Sequence, residues 1–187
     1  NAFAPGNFDE VTQLSIIDPA ARTNAYLAGE VDFIDRADLK TIDMLKSAPD
    51  TEIYNVSGYQ HYTAPMMCDR APFDKLEVRQ AIKWAINRQE LVDKVLFGYG
   101  KVGNDTPLAS SIKFATNPDP VYTYDPDKAK SLLKKAGMEN LKVDLSAADA
   151  AFAGSVDAAL LMAEQAKAAG IEINVIREPN DGYWDNV

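Results

Sequence analysis

Asp125-Pro126-Asp127-Lys128-Ala129-Lys130-Ser131-Leu132-Leu133-Lys134-Lys135-Ala136-Gly137 is followed within four residues by the stretch Leu141 to Leu145. Asp125 is an N-cap, and Pro126 suits the first helical position, where its missing N–H is no loss. Ala129, Leu132, Leu133 and Ala136 then fall on one helical face, Gly137 stops the helix in the left-handed conformation, and Leu141 to Leu145 reads as a strand. Helix, glycine and strand in that order mark an α/β fold.

The same order occurs twice more. Asp18-Pro19 starts a helix over Ala20 to Ala28, Gly29 ends it, and Val31 to Ile34 reads as a short strand. Ser155 reads as the N-cap of a helix with Val156, Ala159, Leu160 and Ala163 on its apolar face. Gly170 ends that helix, and Ile171-Glu172-Ile173-Asn174-Val175 alternates strictly, as a strand with one buried face does. Between the units, Asp74-Lys75-Leu76-Glu77 has the form of a capping box for a helix from about 75 to 87 carrying Val78, Ala81, Ile82, Ala85 and Ile86. Asn87-Arg88-Gln89-Glu90 has the same form and restarts a helix that runs to Gly98. Upstream, Val11 to Ile17, Thr51 to Val56 and Tyr59 to Met67 read as strands, and Asp38 caps a short helix with Leu39, Ile42 and Leu45. Residues 100–120 form one long loop without periodicity.

Composition narrows the function. The 187 residues are 47% hydrophobic and 25% charged, with 19 basic against 28 acidic residues and a net charge of -9. A chain of this length buries roughly 70% of its unfolded surface, so one domain with a real core is expected over 1–187. The acidic balance, with no Lys/Arg run, argues against nucleic acid and anionic membranes as partners. No apolar run approaches the roughly 18 residues of a membrane span. The single Cys68 excludes an internal disulfide and a thiolate cluster. Residues 1–7 read as a tag remnant or linker, Asn1-Ala2 as a cloning scar, and Tyr183, Trp184 and Val187 as the start of a helical face that continues beyond the chain.

Motifs for chemistry are sparse. Gly98-Tyr99-Gly100-Lys101-Val102-Gly103 matches G-x-G-x-x-G, but it follows a helix and precedes a loop, the reverse of the strand-to-helix context that dinucleotide binding needs. His61 is the only histidine, so a hydrolytic triad or a histidine metal site has one residue to rest on, and no catalytic residue, cofactor or metal is expected. Two stretches are better placed to meet a ligand. One is the aromatic and thioether-rich segment with Tyr59, His61, Tyr62, Met66 and Met67. The other is Ser146 to Ser155, between a strand end and a helix start, where α/β proteins commonly bind ligands. His61, Tyr62, Ser146, Asp149 and Phe152 are the candidate contacts.

The block Ala71-Pro72-Phe73-Asp74-Lys75-Leu76-Glu77-Val78-Arg79-Gln80-Ala81-Ile82-Lys83-Trp84-Ala85-Ile86-Asn87-Arg88 resembles the substrate-binding proteins of the peptide, dipeptide and nickel ABC importers. The likeness continues through Leu96-Phe97-Gly98-Tyr99-Gly100 and Tyr124 to Gly137, and upstream through Ala21 to Asp32. The resemblance implies an α/β fold with a mixed sheet flanked by helices, forming most of one lobe of a two-lobed periplasmic binding protein. It implies a monomeric receptor, periplasmic or extracellular and membrane-tethered, that captures a peptide or similar small solute between its lobes and delivers it to a membrane permease. The alternative is an interaction or sensor domain without a transport role. Peptide-binding members hold the ligand's amino group with an aspartate that falls beyond Val187. Dipeptide-type members carry an arginine for the ligand's carboxylate in the stretch matching Ser146 to Ser155, which here has none. The loss of that bidentate contact implies a longer ligand, one uncharged at that end, or a non-peptide.

Overall fold

The computed structural model describes residues 7–56, 58–109 and 112–187. Asn1-Ala2, nearly all of the expected 1–7 remnant and Ser110-Ser111 of the long loop lie outside the described residues. The chain divides into two compact units, Asn1–Ile53 and Tyr54–Val187.

In the first unit α1 spans Pro19–Leu27, and its cap forms as the sequence expects: the Asp18 carboxylate accepts from the Ala21 N–H at 2.7 Å. Gly29 takes φ +72, the left-handed value that ends the helix without Cβ strain. Arg22 reaches back and donates from Nη1 to the Ile16 and Ile17 carbonyls, both at 2.8 Å. Asp38 caps a 3-10 turn, Leu39–Thr41, which runs into α2, Ile42–Ser47. Ala25, Ile42 and Leu45 are buried, together with Thr23, whose hydroxyl donates to the Pro19 carbonyl at 3.0 Å. The expected strands Val11 to Ile17 and Val31 to Ile34 do not form. A strand needs a neighbour to complete its hydrogen bonds, and none lies beside them among the described residues, so Ile17 is 91% exposed and Phe33 78% exposed.

The second unit is built from α3 (Leu76–Ala85), α4 (Arg88–Lys94), α5 (Pro126–Ala136), β1 (Lys142–Ala147), α6 (Ser155–Lys167), β2 (Glu172–Arg177) and α7 (Tyr183–Asn186). Its helix signals translate well. Asp125 caps α5 by accepting from Lys128 N–H at 2.9 Å, and Gly137 closes it at φ +70. Asn87 caps α4 by accepting from Glu90 N–H at 3.2 Å. The box at Asp74 to Glu77 is different: Lys75 occupies the cap position without a side-chain capping bond. Glu77 is drawn instead to Lys135 of α5 at 3.1 Å, while Lys75 donates to the Ala136 carbonyl at 3.1 Å, so both residues tie α3 to α5.

Val78, Ala81 and Ala85 of α3 pack with Ala129 and Leu133 of α5, and Leu141, Ala166, Ala169 and Ile171 complete the core. Small residues at the contact let the helix backbones approach closely. On the rim Lys128 lies 3.8 Å over the Trp84 ring, and Trp84 meets Tyr122 at 5.1 Å. Residues 100–120 are, as expected, without helix or strand where described. Asp105 pins this loop with ion pairs to Arg88 at 3.0 Å and Lys83 at 3.4 Å. α4 ends at Lys94 with Val95 as its cap, short of the expected stop at Gly98; Gly98, at φ +80, donates its N–H to the Val92 carbonyl at 3.0 Å, and the G-x-G-x-x-G stretch leads from that turn into the loop.

Ser155 is not the cap of α6. Gly154, at φ +87, holds that place and Ser155 is the first helical residue, buried. The inward face is also turned from the expected one: Ala158, Ala159, Gln165 and Ala166 are buried while Leu160 is 55% exposed. Gln165 sets this rotation. Its amide accepts from Asn87 N–H at 3.0 Å and donates to the Asn87 carbonyl at 3.2 Å and to Glu90 at 2.9 Å, closing the gap where α3 stops and α4 begins.

β1 and β2 pair in parallel, in register from Lys142 opposite Glu172 to Ala147 opposite Arg177. Val143 and Ile173 pack on the core, and the other face carries polar cross-strand contacts, including Lys142 to Glu172 at 2.7 Å and Asn174 to Asp144 at 2.8 Å. The α/β class holds, with the sheet of the described residues a parallel pair. The segments 51–56 and 59–67, expected as strands, join no ladder there.

Three outcomes test this packing. Leu133→Ala removes a fully buried side chain and is expected to lower unfolding free energy by about 2–5 kcal/mol in urea titration. Gln165→Leu strands both polar groups of Asn87 and is expected to cost about 3 kcal/mol. Glu77 is held below its ordinary 4.5 first by its own backbone N–H and then by Lys135, and Glu90 first by Lys94 and then by Gln165. Both carboxylates therefore stabilise the fold above the ordinary value, and that stability is lost as pH falls through the lowered one. In melting curves from about pH 5 to about pH 3 the double variant Glu77→Gln/Glu90→Gln should lose less stability than the parent sequence.

Candidate ligand-binding site

Two parallel strands that end together leave their C-terminal ends open, and loops leaving that edge converge there. β1 ends at Ala147 and passes into the loop before α6, and β2 ends opposite it at Arg177 and passes into Glu178-Pro179-Asn180. The two exits are bonded to each other. Ser146 donates from its hydroxyl to Glu178 Oε1 at 2.8 Å, Ala150 N–H donates to Asn180 Oδ1 at 2.9 Å, and Glu178 N–H donates to the Ala147 carbonyl at 2.9 Å. Within the loop Asp149 Oδ1 accepts from Gly154 N–H at 3.2 Å, which fixes the approach to α6. The result is an open depression of about 170 Å³ lined by Asp149, Val156, Arg177, Glu178, Pro179 and Asn180.

The candidates from the sequence distribute around this edge. Ser146 stands at the end of β1, and Asp149 and Phe152 on the loop beyond it. Phe152 stacks on Tyr62 with ring centroids 4.0 Å apart and planes 15° from parallel. Tyr62 remains half exposed, so the pair presents an aromatic surface beside the loop. The structure thus joins the two stretches singled out in the sequence. His61 stands apart: it is exposed, and its Nδ1 lies 3.4 Å from the Tyr59 carbonyl. No group of three or more His, Cys, Asp or Glu side chains placed to hold a metal occurs among the described residues.

Sequence reasoning missed Arg177, Glu178 and Asn180. The sign that could have found them is parity and register: a strand whose last residues pair with the end of β1 must deliver its C-terminal continuation to the same edge as Ser146 to Ser155.

Comparison with known proteins agrees with this architecture. The pattern of the family described as bacterial extracellular solute-binding proteins, family 5 (middle), matches residues 3–187. The nickel-binding periplasmic protein of Escherichia coli K12 is 32% identical over 132 residues, 68% of this chain and 25% of that protein. Di/tripeptide-binding protein 1 of Pseudomonas aeruginosa is 33% identical over 123 residues, 65% of this chain and 22% of that protein. The chain thus spans about a quarter of the length of these curated relatives. Among solved structures, NikZ of Campylobacter jejuni in complex with Ni(L-His) superposes with a TM-score of 0.73 at 22% identity, over 92% of this chain and 37% of that one. The periplasmic binding protein DppA of Helicobacter pylori in complex with the peptide STSA gives 0.72 at 22% identity, over 90% and 32%. These neighbours are two-lobed periplasmic binding proteins and share the fold. The match over nearly every residue places the chain in the bacterial extracellular solute-binding proteins, family 5.

Proposed function

We propose that the chain is most of one lobe of the substrate-binding component of an ABC importer, which captures a peptide or similar small solute between two lobes and hands it to the membrane permease. The family match over residues 3–187 carries this reading. Its members are binding proteins, and the relatives include nickel-, di/tripeptide- and heme-binding proteins, so one fold serves ligands of several kinds. In this reading the protein works as a monomer in the periplasm, or outside the cell on a tether, and no helix among the described residues is long and apolar enough to cross a membrane.

The mechanism is binding without bond making or breaking. Ligand contacts stabilise a closed arrangement of lobes over an open one, and the permease reads closure. In this lobe the Tyr62–Phe152 stack supplies an apolar surface, and Ser146 and Asp149 supply polar groups at the strand ends. His61 belongs to the same reading as an exposed side chain next to Tyr62. An interaction or sensor domain without transport role accounts less well for a match that runs through core and loops alike.

Binding sites normally bury 70 to 90% of a ligand's surface, so this chain without its partner lobe should bind weakly or not at all. Thermal shift of the full-length protein and of the 187-residue chain against di- to hexapeptides, sugars, opines and nickel checks this. The full-length protein is expected to gain stability from one class, about 2.7 kcal/mol at a hundredfold excess over Kd, and the chain to gain none. Silence of the full-length protein to the whole panel would count against the receptor reading. Micromolar peptide binding by the chain alone would contradict the half-site argument. Phe152→Ala in the full-length protein should raise Kd about tenfold by removing half of the aromatic surface.

A further inference from the structure

Beyond Ala147 and Arg177, the last paired residues, the two strands part, and the side chain of Asn180 bridges the gap. It stands three residues past the end of β2, and its Oδ1 accepts at 2.9 Å from the N–H of Ala150, three residues past the end of β1. Asn180 is itself held close to β1. Glu178 N–H donates to the Ala147 carbonyl at 2.9 Å and Glu178 Oε1 accepts from the Ser146 hydroxyl at 2.8 Å, so the backbone two residues before Asn180 is fixed.

The loop that receives the Asn180 bond is anchored at both ends. Ala147 and Ala148 are buried where it begins. Where it ends, Gly154 N–H donates to Asp149 Oδ1 at 3.2 Å and the Gly154 backbone lies close against Val95. Between these anchors the chain turns, Ala151 N–H donating to the Ala148 carbonyl at 2.9 Å, and Phe152 follows directly. Ala150 is inside that turn, so the bond to Asn180 sets where the turn stands, and the turn sets where the Phe152 ring stands. That ring stacks on Tyr62 with centroids 4.0 Å apart. Stacking depends on the spacing and tilt of the rings, so a displaced turn weakens it. Ala150 N–H released from Asn180 can turn to water, so losing the bond loosens the turn without unfolding the unit.

We propose that Asn180 is a positioning residue of the ligand site: its side-chain oxygen, acting through Ala150, holds Phe152 against Tyr62 so that the aromatic surface is formed before the ligand arrives. The proposal rests on the receptor reading and goes further by naming the residue that pre-forms the surface assigned to the ligand.

The experiment compares the full-length protein with its Asn180→Ala, Asn180→Asp, Phe152→Ala and Asn180→Ala/Phe152→Ala variants. Hydrogen exchange read by mass spectrometry follows residues 148–154 without ligand. Calorimetry gives Kd for the solute that stabilises the native protein, among di- to hexapeptides, sugars, opines and nickel. Asn180→Ala should speed exchange in the loop and raise Kd about fivefold. Asn180→Asp keeps the acceptor oxygen and loses the NH2 group, and should keep the loop protected and Kd within about twofold. In the Phe152→Ala background the further change Asn180→Ala should raise Kd by less than about twofold, because the ring it positions is gone. Since Asn180 is exposed, ligand-free melting temperatures should agree within about 2 °C, separating a binding defect from a folding one. Unchanged exchange in Asn180→Ala overturns the proposal, as does an undiminished effect of Asn180→Ala when Phe152 is absent. Lost affinity in Asn180→Asp with the loop still protected also overturns it, because the NH2 group would then meet the ligand directly. In each of these cases the native protein still binds and the receptor reading stands. If no solute stabilises the native protein, both fall.

Discussion

The buried amide of Gln165 is the contact on which the second unit depends. Between α3 and α4 the backbone leaves helical geometry at Ile86 and Asn87, and a helix break inside a core exposes polar groups that water cannot reach. Gln165 answers the Asn87 N–H and C=O together with one side chain, and its remaining bond goes to Glu90. The rotation of α6 in this structure is the one that brings Gln165 to these groups. The carbonyl of Trp84, also freed at the break, accepts from Asp125 N–H at 2.8 Å and so fixes where α5 begins. One interruption of helix thus positions α5 and α6 at once.

From α6 the constraint passes to the candidate site. The N-cap of α6 is Gly154, whose left-handed backbone suits glycine and where an added Cβ would lie 3.0 Å from Val95. The loop between β1 and Gly154 must then turn within a few residues, and Asp149 holds the turn. Phe152 on that loop meets Tyr62, while Ser146 and Ala150 bind the residues leaving β2. The strand ends are therefore a braced edge, suited to contacts that must keep their geometry when a ligand arrives.

Much of this was legible in the sequence where the determinants are local. Asp18, Asp38, Asn87 and Asp125 cap helices because a side chain two or three residues from its donor needs no distant partner, and Gly29, Gly137 and Gly170 take left-handed backbone where their helices end. Readings failed where a distant partner decides. Glu77 has the right spacing for a capping box, but Lys135 competes for it. Leu160 lies on the apparent apolar face of α6, but with Ala158 and Gln165 turned inward it stands exposed while Ala159 stays buried. Alternation at Val11 to Ile17 and the aromatic-rich run at Tyr59 to Met67 mark chain able to form strands, yet only a neighbouring strand makes one. The candidate site was legible in its two stretches but not in their contact, since nothing local to Tyr62 points to Phe152. Arg177 escaped notice because its significance comes from its register with Ala147.

The central claim is that this chain belongs to a receptor whose lobes close on a solute, and small-angle scattering of the full-length protein tests it most directly. With and without a solute that raises the melting temperature, the account predicts a smaller radius of gyration in the bound state, with no change in molecular mass. An unchanged radius on saturation with such a solute would contradict it, because a ligand that stabilises the fold without favouring a closed arrangement gives a permease nothing to read.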